Sequence, residues 1–273
     1  MRVFVFGITG QLGQELVRTC PETVEMIPFA RKDADFSDPG SINAVFQSAE
    51  PHVVINAAAF THVDEAEKKI EQAERINHMA AAGIARACKI SGSRLVQIST
   101  DYVFDGKSHV PYQPDDSPNP ETIYGKTKLA GEQAVQEILK EQTLIIRTGW
   151  LYSSFGRNFV NTMLDLMKKR EPVRVVDDQI GTPTWANGLA NAIWRAVANS
   201  FSGLYHWTDA GSASWYDFAV AVQEEGLSLG LLQSAVPVFP IPSTEFSSTA
   251  GRPFYTVLNK TSFWEELDIR PMH

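Results

Sequence analysis

The stretch Val3-Phe4-Val5-Phe6-Gly7-Ile8-Thr9-Gly10-Gln11-Leu12-Gly13 decides the fold of this chain. Its first four residues are apolar without alternation, as in a strand buried on both faces, and the run breaks at Gly7. Residues 11–19 then place Leu12, Leu16 and Val17 on one side at helical spacing. Between strand and helix lie Gly7, Gly10 and Gly13, with Thr9 inside the same loop. Glycines here let backbone N–H groups approach a pyrophosphate at a helix N-terminus, where the helix dipole favours negative charge. A plain tight turn with one packing glycine leaves a similar trace, but strand, loop and helix in this order favour a dinucleotide site.

Outward from this loop the same rhythm repeats. Residues 24–29, 53–56, 95–99 and 143–147 read as strands, and 39–49, 71–91 and 125–139 as helices. Asp38 is placed to cap the second helix and Gly92 to end the third. Continuous apolar strands alternating with helices predict an α/β fold, a Rossmann-type doubly wound parallel sheet with ligands beyond the strands' carboxyl ends. After Trp150 the rhythm changes. Helices are expected at 158–170, 187–198 and 214–225, strands at 173–176 and 203–207, and an extended loop over the proline-rich 237–253. Residues 1–149, joined by parts of 173–200, are therefore expected to form a dinucleotide-binding domain. Residues 150–273 are expected to supply mainly a smaller α/β substrate region.

The chain has 273 residues, room for one large or two small domains at about 150 residues each. Hydrophobic residues make up 44% and charged residues 21%, enough to bury a core. Asp plus Glu total 32 against 24 Lys plus Arg, a net charge of −8. That balance argues against nucleic-acid or anionic-membrane partners, which need a basic field. Cys20 and Cys88 are too few for a disulfide scaffold, and no HxxxH pair suggests a metal site. No apolar run nears the roughly 20 residues of a membrane span, and the N-terminus enters a strand without signal-peptide layout. A cytoplasmic protein is expected.

Candidate functional residues follow the strands. After the second strand stand Arg31 and Lys32, with no carboxylate before Asp33. NAD sites carry an acid at about this place, whereas bases pair with a 2′-phosphate, so the stretch leans towards NADPH, with NADH open. Two solvated surface bases would look alike. Asn56-Ala57-Ala58-Ala59 ends the third strand, its small side chains letting backbone lie flat against a cofactor or a helix pack on the sheet. Ser99-Thr100-Asp101 sets a hydroxyl and a carboxylate at the mouth of the fourth strand. Tyr124 and Lys128 form a YxxxK pair on one helix face. A carbonyl receiving hydride needs a proton donor in reach, and an ammonium near a phenol favours phenolate, making the phenol a better acid.

The GxxGxxG spacing favours short-chain dehydrogenase-like proteins. Together with NAAAFTHVDEAE from Asn56, STDYVFDG from Ser99, YGKTKLAGE from Tyr124, RTGWLY from Arg147, DDQIGTPT from Asp177, SWYDFA from Ser214 and GRP from Gly251, the chain resembles the dTDP-4-dehydrorhamnose reductases over nearly its full length. These form a branch of the extended short-chain dehydrogenase/reductase family. The resemblance implies Thr100, Tyr124 and Lys128 as the catalytic set, with Tyr124 as proton donor. It places Gly10, Gln11, Leu12, Asp35, Phe36, Ala57, Ala58 and Ala59 around the cofactor, and Thr100, Asp101 and Trp150 near a dTDP-sugar. It implies reduction of the C4 ketone of dTDP-4-dehydro-6-deoxy-L-mannose to dTDP-L-rhamnose, and allows a homodimer and an unassigned Mg2+. Gly149 stands where relatives often carry serine, and His62 where a small residue is frequent. Arg252 could meet a nucleotide phosphate or lie on the surface. A nucleotide-sugar epimerase or dehydratase, or a non-catalytic subunit resembling the regulatory subunit of methionine adenosyltransferase, would share the fold.

Overall fold

The computed structural model describes residues 1–270 and 272–273. Its centre is a parallel sheet of β1 (Arg2–Phe6), β2 (Glu25–Phe29), β3 (Val53–Asn56), β4 (Arg94–Thr100), β5 (Thr143–Thr148) and β6 (Gly203–His206), in the order β6-β5-β4-β3-β1-β2. Val3 pairs in register with both Val53 and Met26, so the chain reverses its winding around β1. In such a sheet the crevice for ligands opens beside that reversal, past the carboxyl ends of the strands. The side-chain alternation of β1 shows why its apolar run is continuous. Val3 and Val5 enter one core with Leu16, Ile193 and Phe263, while Phe4 and Phe6 enter the opposite one with Ile42, Ile84 and Val135. Both faces are covered, as the sequence requires.

The helices are α1 (Gln11–Arg18), α2 (Pro39–Ser48), α3 (Ala80–Ser91), α4 (Ile123–Leu139), α5 (Phe159–Met167), α6 (Ala186–Ala198), α7 (Trp215–Ser228) and α8 (Thr261–Leu267). Asp38 accepts a bond from the Gly40 N–H, and Gly92 ends α3 at φ +72°. The long helix expected over 71–91 is present, widened at one place: Ile70–Glu74 passes through a π turn, Arg75–Met79, into α3. Asn77 in that turn accepts from Phe60 N and donates to Phe60 O and Thr127 Oγ1. Gly131 of α4 packs over the same turn, where a Cβ would sit 2.3 Å from Asn77 O.

The C-terminal sequence contributes to two places. Strand β6 pairs with β5, and α6 packs on α1, so both join the central sheet. Phe263 of α8 returns to the same core, while Met163, Met167, Val175 and Val222 build a separate one. Part of the expected 237–253 loop is a strand, Val238–Ile241, paired in parallel with Val173–Val176. Pro240 misled the reading; a two-stranded ladder is all edge, where the missing N–H is tolerated. Among the described residues no helix is long and apolar enough to cross a membrane.

A buried ion pair ties α4 to the sheet. Arg147 of β5 meets Glu132 through Nε at 3.0 Å and Nη2 at 2.8 Å, with both side chains at most 4% exposed. Its Nη1 also donates to Pro114 O, and the guanidinium lies 5.1 Å over the Phe104 ring. Removing one partner strands a buried charge, so Arg147→Met should lower unfolding free energy by about 3–5 kcal/mol. Urea titration of that variant and of Arg147→Met/Glu132→Leu should show the double change regaining much of the loss.

Candidate functional site

The glycine loop divides its labour. Gly7 has φ +85°, and a Cβ there would meet Ala58 N at 2.6 Å. Gly13 lies so close to the loop that a Cβ would sit 2.1 Å from Gly7 O. These two glycines are needed by the protein itself. Gly10 is different: as N-cap of α1 it makes no side-chain cap bond, and a Cβ there would touch only Gly7 O, at 3.4 Å. Its missing side chain leaves the start of α1, with its free N–H groups, open to the cleft. A dinucleotide pyrophosphate fits this cradle.

The cleft, about 690 Å³, is lined by Gly7, Thr9, Gly10, Gln11, Leu12, Arg31, Asp35, Phe36, Ala57, Ala58 and Ala59 at one end. Thr100, Asp101, Tyr124, Lys128, Trp150 and Arg252 line the other. Gly13, Asn56 and Lys32, all expected here, do not line it. Gly13 is packed beneath the loop, and Asn56 works from behind: its Nδ2 donates to Gln97 Oε1 at 2.9 Å and its Oδ1 accepts from Ala58 N at 3.2 Å. Asn56 thus shapes the backbone of Ala57–Ala59 rather than facing a ligand. Arg31, 4.0 Å from Asp35, also borders a second hollow of about 570 Å³ with Ser37, Lys68, Lys69 and Arg75. Lys32 borders neither space.

Local structure explains how Thr100 and Tyr124 meet. Thr100 ends β4 and its Oγ1 accepts from Tyr102 N, capping the turn Asp101–Val103. Thr122 caps α4 by accepting from Gly125 N, and Gly125 lies against Tyr102 O, where a Cβ would come within 2.1 Å. Glycine in YGK therefore lets the helix abut the turn. Tyr124 meets Tyr102 edge to face at 5.6 Å. Burial pushes its phenol up, the Thr100 hydrogen bond opposes, and Asp101 and Tyr102 add to the rise. Lys128 Nζ donates to Ile98 O at 2.6 Å, and burial lowers its pKa to about 8 against the pull of Glu132.

Asp101 is buried, with Oδ1 accepting from Thr100 Oγ1 at 3.0 Å. Burial raises its pKa to about 6, opposed by Thr256 and Thr100. The glycine at 149 has a structural reason, since a Cβ would stand 2.5 Å from Asp101 Oδ2. Trp150 takes a left-handed backbone, φ +49°, and its indole stacks flat on Trp215 at 3.5 Å. Trp215, Tyr102 and Asp64 escaped the sequence reading. Trp215 follows the Ser214/Asp217 capping box, a legible helix start, but nothing local announces that its ring faces the cleft. Asp64 pairs with Arg252 at 2.7 Å across distant sequence. His62 lines the cleft beside these groups. Among the described residues no cluster of three or more His, Cys, Asp or Glu side chains could hold a metal ion.

A family model described as RmlD substrate binding domain matches residues 1–273. The chain is 40% identical over 274 residues to the spore coat polysaccharide biosynthesis protein SpsK of Bacillus subtilis, covering 100% of this chain and 93% of that one. It is 38% identical over 272 residues to dTDP-4-dehydrorhamnose reductase of Escherichia coli K12, covering 96% and 91%. Among solved structures, dTDP-4-dehydrorhamnose reductase from Bacillus anthracis in complex with NADP superposes with a TM-score of 0.94 at 37% identity, covering 99% of this chain and 94% of that one.

The glycines separate in experiment. Gly13→Ala should unfold at lower temperature than the parent, whereas Gly10→Ala should melt near it yet lose dinucleotide binding in calorimetric titration. A second expectation concerns pH. Folded Asp101 keeps its proton to about 6 against 3.8 for the free side chain, so across that window the folded state holds more protons. Stability contributed by this group therefore falls as pH rises through the window. Asp101→Asn removes that fall, and its stability relative to the parent should increase from about pH 4 to about pH 7 in denaturant titrations.

Proposed function

Because this chain belongs to the family described as RmlD substrate binding domain, we propose that it reduces the C4 ketone of dTDP-4-dehydro-6-deoxy-L-mannose with NADPH, giving dTDP-L-rhamnose. The observation that carries this reading is the convergence of Thr100, Tyr124 and Lys128 on the same cleft that the glycine loop opens. A bound reduced nicotinamide supplies the hydride for the carbonyl carbon. Tyr124 then gives its phenolic proton to the carbonyl oxygen. Its raised pKa keeps it protonated through the neutral range, so the donor is loaded before substrate arrives. Thr100 Oγ1 lies beside the phenol and now donates to Asp101 Oδ1; on substrate binding it turns that single proton to the same carbonyl oxygen. Lys128 supplies the neighbouring cation, kept on the cleft side of α4 by its bond to Ile98 O. Proton donor and cation face the ligand from one helix, one turn apart.

NADPH is favoured by the basic second hollow. Arg31 stands between the two spaces, and Lys68 and Arg75 line the far one with Glu71 and with Lys69, which is paired to Glu65 at 2.8 Å, so bases outnumber the one acid. A 2′-phosphate leaving the cleft at the ribose end would meet this field. Trp150 and Trp215 offer an apolar wall for the sugar nucleotide. Two free cysteines, Cys20 and Cys88, suit a reducing cytoplasm.

Tyr124→Phe should lose ketone-dependent NADPH oxidation by about 10²-fold or more, as removal of a general acid does. Assay with the dTDP-keto sugar and NMR identification of the product check it, and full turnover by that variant overturns the assignment. Arg31→Ala should raise KM for NADPH by about tenfold and leave KM for NADH nearly unchanged, on the usual strength of a charge-assisted bond.

A further inference from the structure

One carboxylate outside the catalytic set gathers a whole loop. Asp64 lies in the short helix Val63–Ala66 that follows β3. Its Oδ1 accepts from Ser248 Oγ at 2.7 Å, Thr249 N at 2.8 Å and Ala250 N at 3.0 Å. Its Oδ2 accepts from Arg252 Nη2 at 2.7 Å. Burial disfavours the charge, yet these bonds and the guanidinium hold the carboxyl at about 2, so it stays ionised. This cluster of bonds joins segments 184 residues apart in sequence.

The object being held is Arg252. Its Nε donates to Ser248 Oγ at 3.3 Å, and Tyr102 lies beside it. A guanidinium carries about five N–H donors in a fixed fork, so the bonds to Asp64 and Ser248 fix its plane and leave donors for an anion. Three cations line the cleft among the described residues. Arg31 stands at the ribose end, and Lys128 is committed to Ile98 O. Arg252 is the remaining one, on the side of Thr100, Tyr124 and Trp150.

We propose that Asp64 is a positioning residue for Arg252, aiming its guanidinium at the diphosphate of the nucleotide sugar. The inference rests on the function proposed above, since it needs a sugar nucleotide in this half of the cleft. Asp64 does not touch the ligand. It acts by holding the arginine and the Ser248–Ala250 backbone in one geometry, so that neither has to be ordered when the diphosphate arrives. Asn at this position keeps the size but loses the charge and one acceptor, loosening the arginine.

The test is calorimetric titration of the full chain with dTDP and, separately, with NADP+. Asp64→Asn should weaken dTDP binding by about tenfold, the usual scale of a charge-assisted bond, and leave NADP+ binding unchanged. In an Arg252→Ala background the same change should cost nothing further, which a merely structural role would not produce. Ser248→Ala, which keeps the carboxylate and removes one bond, should weaken dTDP by a smaller factor and serves if Asp64→Asn does not fold. Equal losses with and without Arg252, a matching loss of NADP+ binding, or unchanged dTDP affinity overturns the positioning role while the reductase reading stands. A parent chain that binds NADP+ but no dTDP overturns the sugar-nucleotide reading, and this role with it.

Discussion

The bidentate contact between Arg147 and Glu132 is the constraint on which the site depends. Both side chains are buried, and burying charge is tolerated only when partner and geometry satisfy it. Glu132 belongs to the helix that carries Tyr124 and Lys128, while Arg147 precedes Thr148, Gly149 and Trp150 at the end of β5. A shift of the helix along the sheet would break the pair, so the phenol keeps its place relative to Thr100 on β4. His206, edge-on to Phe104 in the same region, is held neutral well into acid, at about 3, by burial and then by Arg147. The neutral imidazole adds no positive charge beside the guanidinium.

A second buried carboxylate joins the halves of the chain. Glu15 of α1 accepts from Ser153 Oγ at 2.8 Å, Asn187 Nδ2 at 3.1 Å and Arg18 Nη2 at 2.7 Å. Burial alone would raise its pKa, but these partners together lower it. The helix whose N-terminus faces the cleft is thereby bonded to the segment after Trp150 and to α6. The glycine loop and the wall beside Trp150 are held by one side chain that does not itself line the cleft. Asp64 does similar work at the opposite rim.

The central sheet was legible because its information is local. The apolar run of Val3–Phe6, the apolar run of Val53 to Ile55 and the glycine after Ser91 each fix an element through backbone rules that need no partner. The cleft residues were legible for the same reason, since most sit directly after a strand. What escaped depended on distant pairing. Nothing in Gly203–His206 by itself says that it will lie beside β5, and Val238–Ile241 hides its strand behind a proline. Asp64 and Trp215 acquire their meaning from residues far along the chain. Lys128 lines the cleft, and the bond from its ammonium to a carbonyl of β4 depends on a strand 30 residues upstream.

The late arrival of β6 bears on how the polypeptide is made. Until residue 206 leaves the ribosome, the Leu144-Ile145-Ile146 edge of β5 has no neighbour on one side. Unpaired apolar edges recruit other chains, and parallel pairing across long sequence separations is slow. Synthesis from the N-terminus therefore exposes a sticky margin for the time taken to translate some sixty residues, roughly 3–12 s at about 5–20 residues per second. Truncated nascent chains ending before that strand are the species for which chaperones matter most.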